Sequence, residues 1–309
     1  MNMQEYRNTQ AERATLEKLI EQLPASSVIE RMSLEARKKE VEDTLASQPP
    51  SSREPARAKL TFRGKPIVGS HGMFATFGAK AVSTFAETVL AIAASQIRPL
   101  GARGALPNRE DYKLLITGTA LGSFGFELEE APSDDMLFHE IPSPVEAAIE
   151  QTNSILEATK GTDDELTEAV SDADPRAIET LRTFLKTLAD QEAVCTLEFK
   201  DRVFRFADVG EVRQSNERLS QDNIHEDQQQ IEGVFQGVLP KRRMFEFKII
   251  PSQEVIVGKI RADIPDISAI NHILDQFTTI KVMVTRVGGG SPRYALLSYA
   301  ERSNEPYLS

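Results

Sequence analysis

Residues 231–257 read IEGVFQGVLPKRRMFEFKIIPSQEVIV, and this stretch decides the fold of the C-terminal part of the chain. Ile231, Gly233, Phe235 and Gly237 occupy alternate positions. Phe245, Phe247 and Ile249 continue the alternation after a turn at Lys241-Arg242, and Val255 and Val257 resume it beyond Pro251-Ser252. A period of two is the mark of strands with one buried face. Further along, Ile280, Val282 and Val284 predict a fourth strand, and Tyr294 to Tyr299 a fifth, parted by Gly288-Gly289-Gly290. A short helix over about 268–275 fits between the third and fourth strands.

Five strands with a helix between the third and fourth follow the order of the OB fold, a resemblance of architecture alone. An SH3-like or other small barrel satisfies the same alternation. The glycines at 233 and 237 suit a strongly coiled first strand. In OB barrels ligands meet strands 2 and 3 and the loops joining strands 1–2 and 4–5. Those loops here are Lys241-Arg242-Arg243 and the segment from Arg286 to Arg293. The candidate partner-binding residues are therefore Lys241, Arg242, Arg243, Lys259, Arg286 and Arg293. Phe245, Phe247 and Tyr294 lie near them, and aromatic stacking beside a basic track holds single-stranded nucleic acid. The same parity equally places Phe245 and Phe247 in a core, and basic residues on exposed strands also guard against aggregation.

Charge supports a docking role for this segment. The chain carries −11 overall, which opposes bulk affinity for phosphate backbones. Residues 231–302 hold ten Lys and Arg against seven Asp and Glu, so they carry +3 and the remainder −14.

Outward from the barrel, residues 221–230 are polar and predict a connector. Residues 58–222 predict an α+β domain. Its first hairpin pairs Lys59 to Phe62 with Ile67-Val68 around Arg63-Gly64-Lys65-Pro66. Gly69-Ser70-His71-Gly72 then opens a buried helix running to about Gln96, with Phe77, Ala81, Phe85, Val89 and Ile92 on its face. Strands follow near 112–116 and 123–128, turning at Ala120-Leu121-Gly122. Helices follow near 144–160, 163–172 and 174–192, then a hairpin over 194–206 and a helix over 208–220. The stretch 48–57, QPPSSREPAR, is a linker by its Pro and Ser content. Residues 1–47 form a helical extension, with stripes at Leu16, Leu19, Ile20 and Leu23 and at Val28, Ile29, Met32, Leu34, Val41 and Leu45, and with Ser26 and Ser27 as N-caps of the second helix. Residues 4–46 are the expected site of a protein partner or of self-association.

No motif names a reaction. Ser70 and His71 in the Gly69–Gly72 loop, with Glu127 on the acidic strand ending at Glu130, form the one candidate catalytic set. Adjacent side chains diverge on extended backbone, so Ser70 and His71 do not make a nucleophile and base by themselves. Glu127, Glu129, Glu130, Asp134 and Asp135 are a candidate cation cluster or, more simply, a solvated edge. The four histidines are scattered, with no zinc spacing, so no metal and no cofactor is expected. The lone Cys195 predicts a buried small residue without a disulfide. A polar N-terminus and a longest apolar run of only Val89 to Ala94 predict a cytoplasmic protein without membrane association. The expectation is a non-enzymatic binding protein whose barrel docks a macromolecule, with nucleic-acid binding, or an enzyme using Gly69–Gly72, as alternatives.

Overall fold

The computed structural model describes residues 3–24, 27–47, 54–97, 99–101, 104–120, 124–131, 142–250, 252–261 and 263–301. Ser26, most of the 48–57 linker, the turn at 121–123, and Asp134 and Asp135 lie outside the described residues. The protein is a mixed α+β structure. It begins with two helices that pack on each other, α1 (Met3–Gln22) and α2 (Val28–Ser47).

The body follows. It comprises β1 (Arg57–Gly64), the ribbon β2 (Ile67–Val68) and β3 (Gly72–Met73), α3 (Ala75–Ile97), β4 (Leu114–Ala120) and β5 (Phe124–Glu130). Then come α4 (Pro144–Ala158), α5 (Asp163–Ser171), α6 (Pro175–Asp190), β6 (Ala193–Phe199), β7 (Arg202–Arg205) and α7 (Val209–Arg218). An antiparallel sheet in the order β4-β5-β1-β6-β7 carries helices on one face. Leu60, Phe62, Leu128 and Leu197 point into the helical layer, where Phe85 meets Phe184 edge-on at 5.6 Å. The opposite face is polar, and Arg57 pairs with Glu129 there at 2.9 Å. α3 is long and apolar enough to cross a membrane by length and composition. Its apolar face is buried in the body core, through Phe77, Ala81, Phe85, Val89 and Ile92.

The expected hairpin over 59–68 is not formed. β2 pairs with β3, Ile67 opposite Met73, while β1 lies between β5 and β6. Gly64 explains this. Its φ is +121°, and a Cβ there would sit 2.2 Å from the Glu192 carbonyl oxygen, so β1 stays paired tight against the start of β6 up to Gly64, and the turn that follows leads into the separate β2–β3 ribbon.

The C-terminal part comprises β8 (Ile224–Leu239), β9 (Met244–Ile249), β10 (Val255–Ile260), β11 (Phe277–Val287) and β12 (Arg293–Glu301), with a 3-10 turn at Ser268–Ile273 between β10 and β11. The strands close into a barrel in the order β8-β9-β10-β12-β11 and back to β8. Only β10 and β12 run parallel; the other pairs are antiparallel. Phe235 is fully buried at the centre, with its ring 5.0 Å from Phe247 and 6.0 Å from Phe245. Residues 224–230, expected as part of a connector, are the first half of β8. Their polar side chains are exposed, yet they pair in register with β11 from Lys281 to Val287. Periodicity of burial is lost there because this half of the β8–β11 ribbon projects beyond the barrel core toward the body.

Candidate functional site

That ribbon delivers the β11–β12 loop onto the N-terminus of α5. A capping box starts α5: the Thr162 hydroxyl accepts from the Glu165 N–H at 3.2 Å, and Glu165 accepts from the Thr162 N–H at 2.7 Å. Acidic residues are favoured in such a first turn by the unsatisfied N–H groups and the helix dipole. Here they also reach across. Asp163 accepts from the Gly289 N–H at 3.1 Å and from Arg218 at 2.8 Å, and Asp164 accepts from the Ser291 N–H at 2.6 Å. The Thr167 hydroxyl accepts from the buried Val287 N–H at 3.1 Å and donates to the Asp163 carbonyl at 2.7 Å. Val287 itself is fully buried in the body core. Gly290 fits because a Cβ there would lie 2.9 Å from the Thr167 hydroxyl and 3.0 Å from the α5 backbone.

The ion pairs continue along α5. Glu168 accepts from Lys259 at 3.0 Å and from Arg293 at 2.6 Å, and Asp172 also takes Lys259. The Arg218 side chain, then the Gly289 N–H, holds the Asp163 carboxyl below its ordinary range. The Ser291 backbone N–H does the same for Asp164, and Lys259 followed by Arg293 for Glu168. Desolvation pulls the Lys259 ammonium down, but hydrogen bonds to Asp172 and Glu168 outweigh it and the net shift is upward.

Three of the six cations singled out from the sequence are thus engaged inside the molecule. Lys259 and Arg293 neutralise α5. Arg243 adopts φ 50° after the turn Pro240–Arg242 and donates to the carbonyls of Ile260 at 3.1 Å and Ile264 at 2.9 Å, and to that of Arg261. Lys241, Arg242 and Arg286 have no ion-pair partner among the described residues. Phe245 and Phe247 are in the core and cannot stack a base; Tyr294 is half-buried beside Glu254 and Arg286. Arg242 borders a cleft of about 380 Å³ between the barrel and the body, whose walls also hold Asp172, Asp174, Glu226, Lys259 and Arg261.

The outer face of β8, β9 and β10 differs in character. Val255 and Val257 are 49% and 50% exposed, and Leu239 and Ile250 are exposed beside them. The register places Met244 between Leu239 and Lys259, Glu246 opposite Val257 and Lys248 opposite Val255. The result is a face of apolar side chains that also carries Glu246, Lys248 and Lys259. Met244, Val257 and Tyr294 also line a cleft of about 240 Å³ that ends at Glu168 and Asp172.

The candidate catalytic residues are not drawn together by any of the main clefts. Ser70 and His71 are exposed in the turn between β2 and β3, and α3 starts only at Ala75, so the loop does not open a helix N-terminus. Glu127 lies on the polar face of the sheet, 4.0 Å from Lys59. Glu130 is buried and accepts from the Ala56 N–H at 3.1 Å, a structural role. No cluster of metal-ligating side chains occurs among the described residues. Cys195 is buried, and burial pushes its thiol up to about 12. It is an inert core residue at neutral pH.

Comparison with protein-family models, with curated proteins and with solved structures finds no match for this chain. Sequence reading did not single out the α5 interface. Its available signal was the sequence TDDE at 162–165, a capping box whose two central acids are free to reach a second partner.

Proposed function

We propose that this is a non-enzymatic, cytoplasmic binding protein whose C-terminal OB-like barrel docks a polypeptide partner on the outer face of β8, β9 and β10. The OB-like reading rests on the strand order, on the parallel β10–β12 pair and on the short helical turn between β10 and β11. The observation that carries the docking reading is the exposed apolar strip of Leu239, Val255 and Val257. Contiguous apolar surface rimmed by polar groups marks protein interaction sites. It lies on the strands that OB barrels present to ligands, and the opposed charges of Glu246 and Lys248 suit a mixed polypeptide surface better than a polyanion. A photocrosslinker at Val257, in the native host extract, should trap one predominant protein. Val255→Lys with Val257→Lys should abolish capture at an unchanged melting temperature. Capture that persists in the double variant sinks the proposal.

Nucleic-acid binding is the second reading, favoured by Lys241, Arg242 and Arg286, which have no ion-pair partner among the described residues. It requires oligonucleotide anisotropy that falls steeply with salt and is lost when those three residues become Ala.

A further inference from the structure

The body sheet ends in two edges built in opposite ways. β7 is four residues long and includes Arg202 and Arg205. α4 and the turn after it close it off: Lys160 donates to the Arg205 carbonyl at 3.1 Å, and Arg202 pairs with Glu157 at 3.5 Å and donates to Ser154 at 3.1 Å. Short length, basic side chains and a covering element are how proteins guard a sheet edge. Among the described residues β4 has none of these. It spans seven residues, LLITGTA, without a charge. Lys113 precedes it, its carbonyl accepting from the Ala131 N–H at 2.9 Å on the β5 side. In an antiparallel pair the bonding direction alternates, so the N–H and C=O groups of Leu114 and Ile116 face outward. Among the described residues no protein group bonds them. Leu115 and Ile116, on opposite faces of the strand, are 44% and 57% exposed.

We propose that β4 is a dimerisation edge, at which a second copy of this chain adds its own β4 antiparallel and joins the two sheets. A row of free main-chain donors and acceptors fits an extended strand. Charge selects the copy. An antiparallel self-pair sets a strand against its own sequence, and like charges opposite each other are destabilising; residues 114–120 contain none. On the adjacent β5, Glu127 and Glu129 are paired with Lys59 and Arg57 of β1, so these two acids next to the edge do not confront a second copy as unpaired charges. An uncharged strand containing Gly118 also offers no side-chain code for selecting a foreign peptide. A two-fold pairing buries the same apolar residues on both copies.

The test uses the full chain. Sedimentation equilibrium from low-micromolar to sub-millimolar concentration should show a shift from one to two chain masses. Amide exchange of Leu114 and Ile116 should slow as concentration rises. Leu115→Lys with Thr117→Lys places cations at two exposed positions of the edge and should return the protein to one chain mass, with unchanged far-UV circular dichroism and melting temperature. A wild type that stays monomeric throughout overturns the proposal. So does a dimer that survives the double variant, or one lost instead on Ile29→Lys with Met32→Lys in α2, which places the interface on the helical pair. Protection of the β4 amides only when another protein is added, in a chain that stays monomeric alone, also overturns it in favour of a foreign strand.

Discussion

The barrel is tied to the body and the α1–α2 helices to each other, and the two attachments rest on different physics. The barrel is joined to the body by Val287 in the body core, by backbone N–H groups on α5 carboxylates, and by Lys259 and Arg293 on Glu168. The helical pair buries Leu16 and Val41 and exposes Leu19, Val28, Ile29 and Met32. Its other bonds include exposed ion pairs, Arg37 with Glu12 at 2.8 Å and Lys38 with Glu17 at 3.1 Å. Such solvent-exposed pairs contribute little to stability. The contrast bears on how charge is read. The positive segment facing a negative remainder invites a search for an anionic ligand, but part of that charge is already satisfied within the chain, against α5.

The largest expected effect separates the two regions directly. Phe235→Ala removes the ring around which Phe245, Phe247 and Tyr299 pack. It should cost about 3–5 kcal/mol in urea denaturation, as large-to-small core changes do. Leu16→Ala in α1 should leave the main transition where it is. If both variants move the midpoint equally, the helical pair is part of the body's cooperative unit and the contrast fails.

Next in size is the seam itself. Thr167→Val conserves shape but strips the acceptor from the buried Val287 N–H. An unsatisfied buried donor costs about 1–3 kcal/mol. The loss should appear as faster amide exchange at Val287 and Gly289, with the β8–β9 amides unaffected. Uniform acceleration over the whole barrel would mean that the seam and barrel open as one.

The sequence carried the barrel because its signal is local. Phe235, Phe245, Phe247, Ile280 and Val282 alternate within single strands, and all five are buried. The helices of the body were legible for the same reason, and the ranges expected near 144–160, 163–172, 174–192 and 208–220 fall on α4, α5, α6 and α7. Long-range pairing was not legible. β1 meets β5, with Leu60 opposite Phe126, and β6, with Leu60 opposite Leu197. Nothing in residues 57–64 encodes those partners, so a local hairpin was the natural misreading. The polar run at 224–230 hid a strand because its register is set by β11 and not by burial. Of the six cations read as binding residues, Lys241, Arg242 and Arg286 have no ion-pair partner among the described residues. The engagement of Arg243, Lys259 and Arg293 depends on tertiary neighbours that spacing cannot supply.

The smallest expected effect is electrostatic. Asp163, Asp164 and Glu168 have folded-state carboxyls below their ordinary range. A depressed folded value means the unfolded chain binds the proton more readily, so these groups add stability above the ordinary carboxylate range. That stability drains as pH falls from about 4 toward the folded values. Asp164→Asn retains an oxygen for the Ser291 N–H but cannot titrate, and Glu168→Gln removes the charge facing Lys259 and Arg293. The double variant should therefore show a shallower loss of stability with acid than the wild type, while Leu16→Ala shows the wild-type slope. Solvent exposure keeps the effect modest, and molar salt should erase the part owed to Lys259 and Arg293 while sparing the part owed to the backbone N–H. Equal slopes in the double variant and the wild type would show that the seam is held by Val287 and main-chain hydrogen bonds alone, and that the complementary charges serve register between barrel and body without adding to stability.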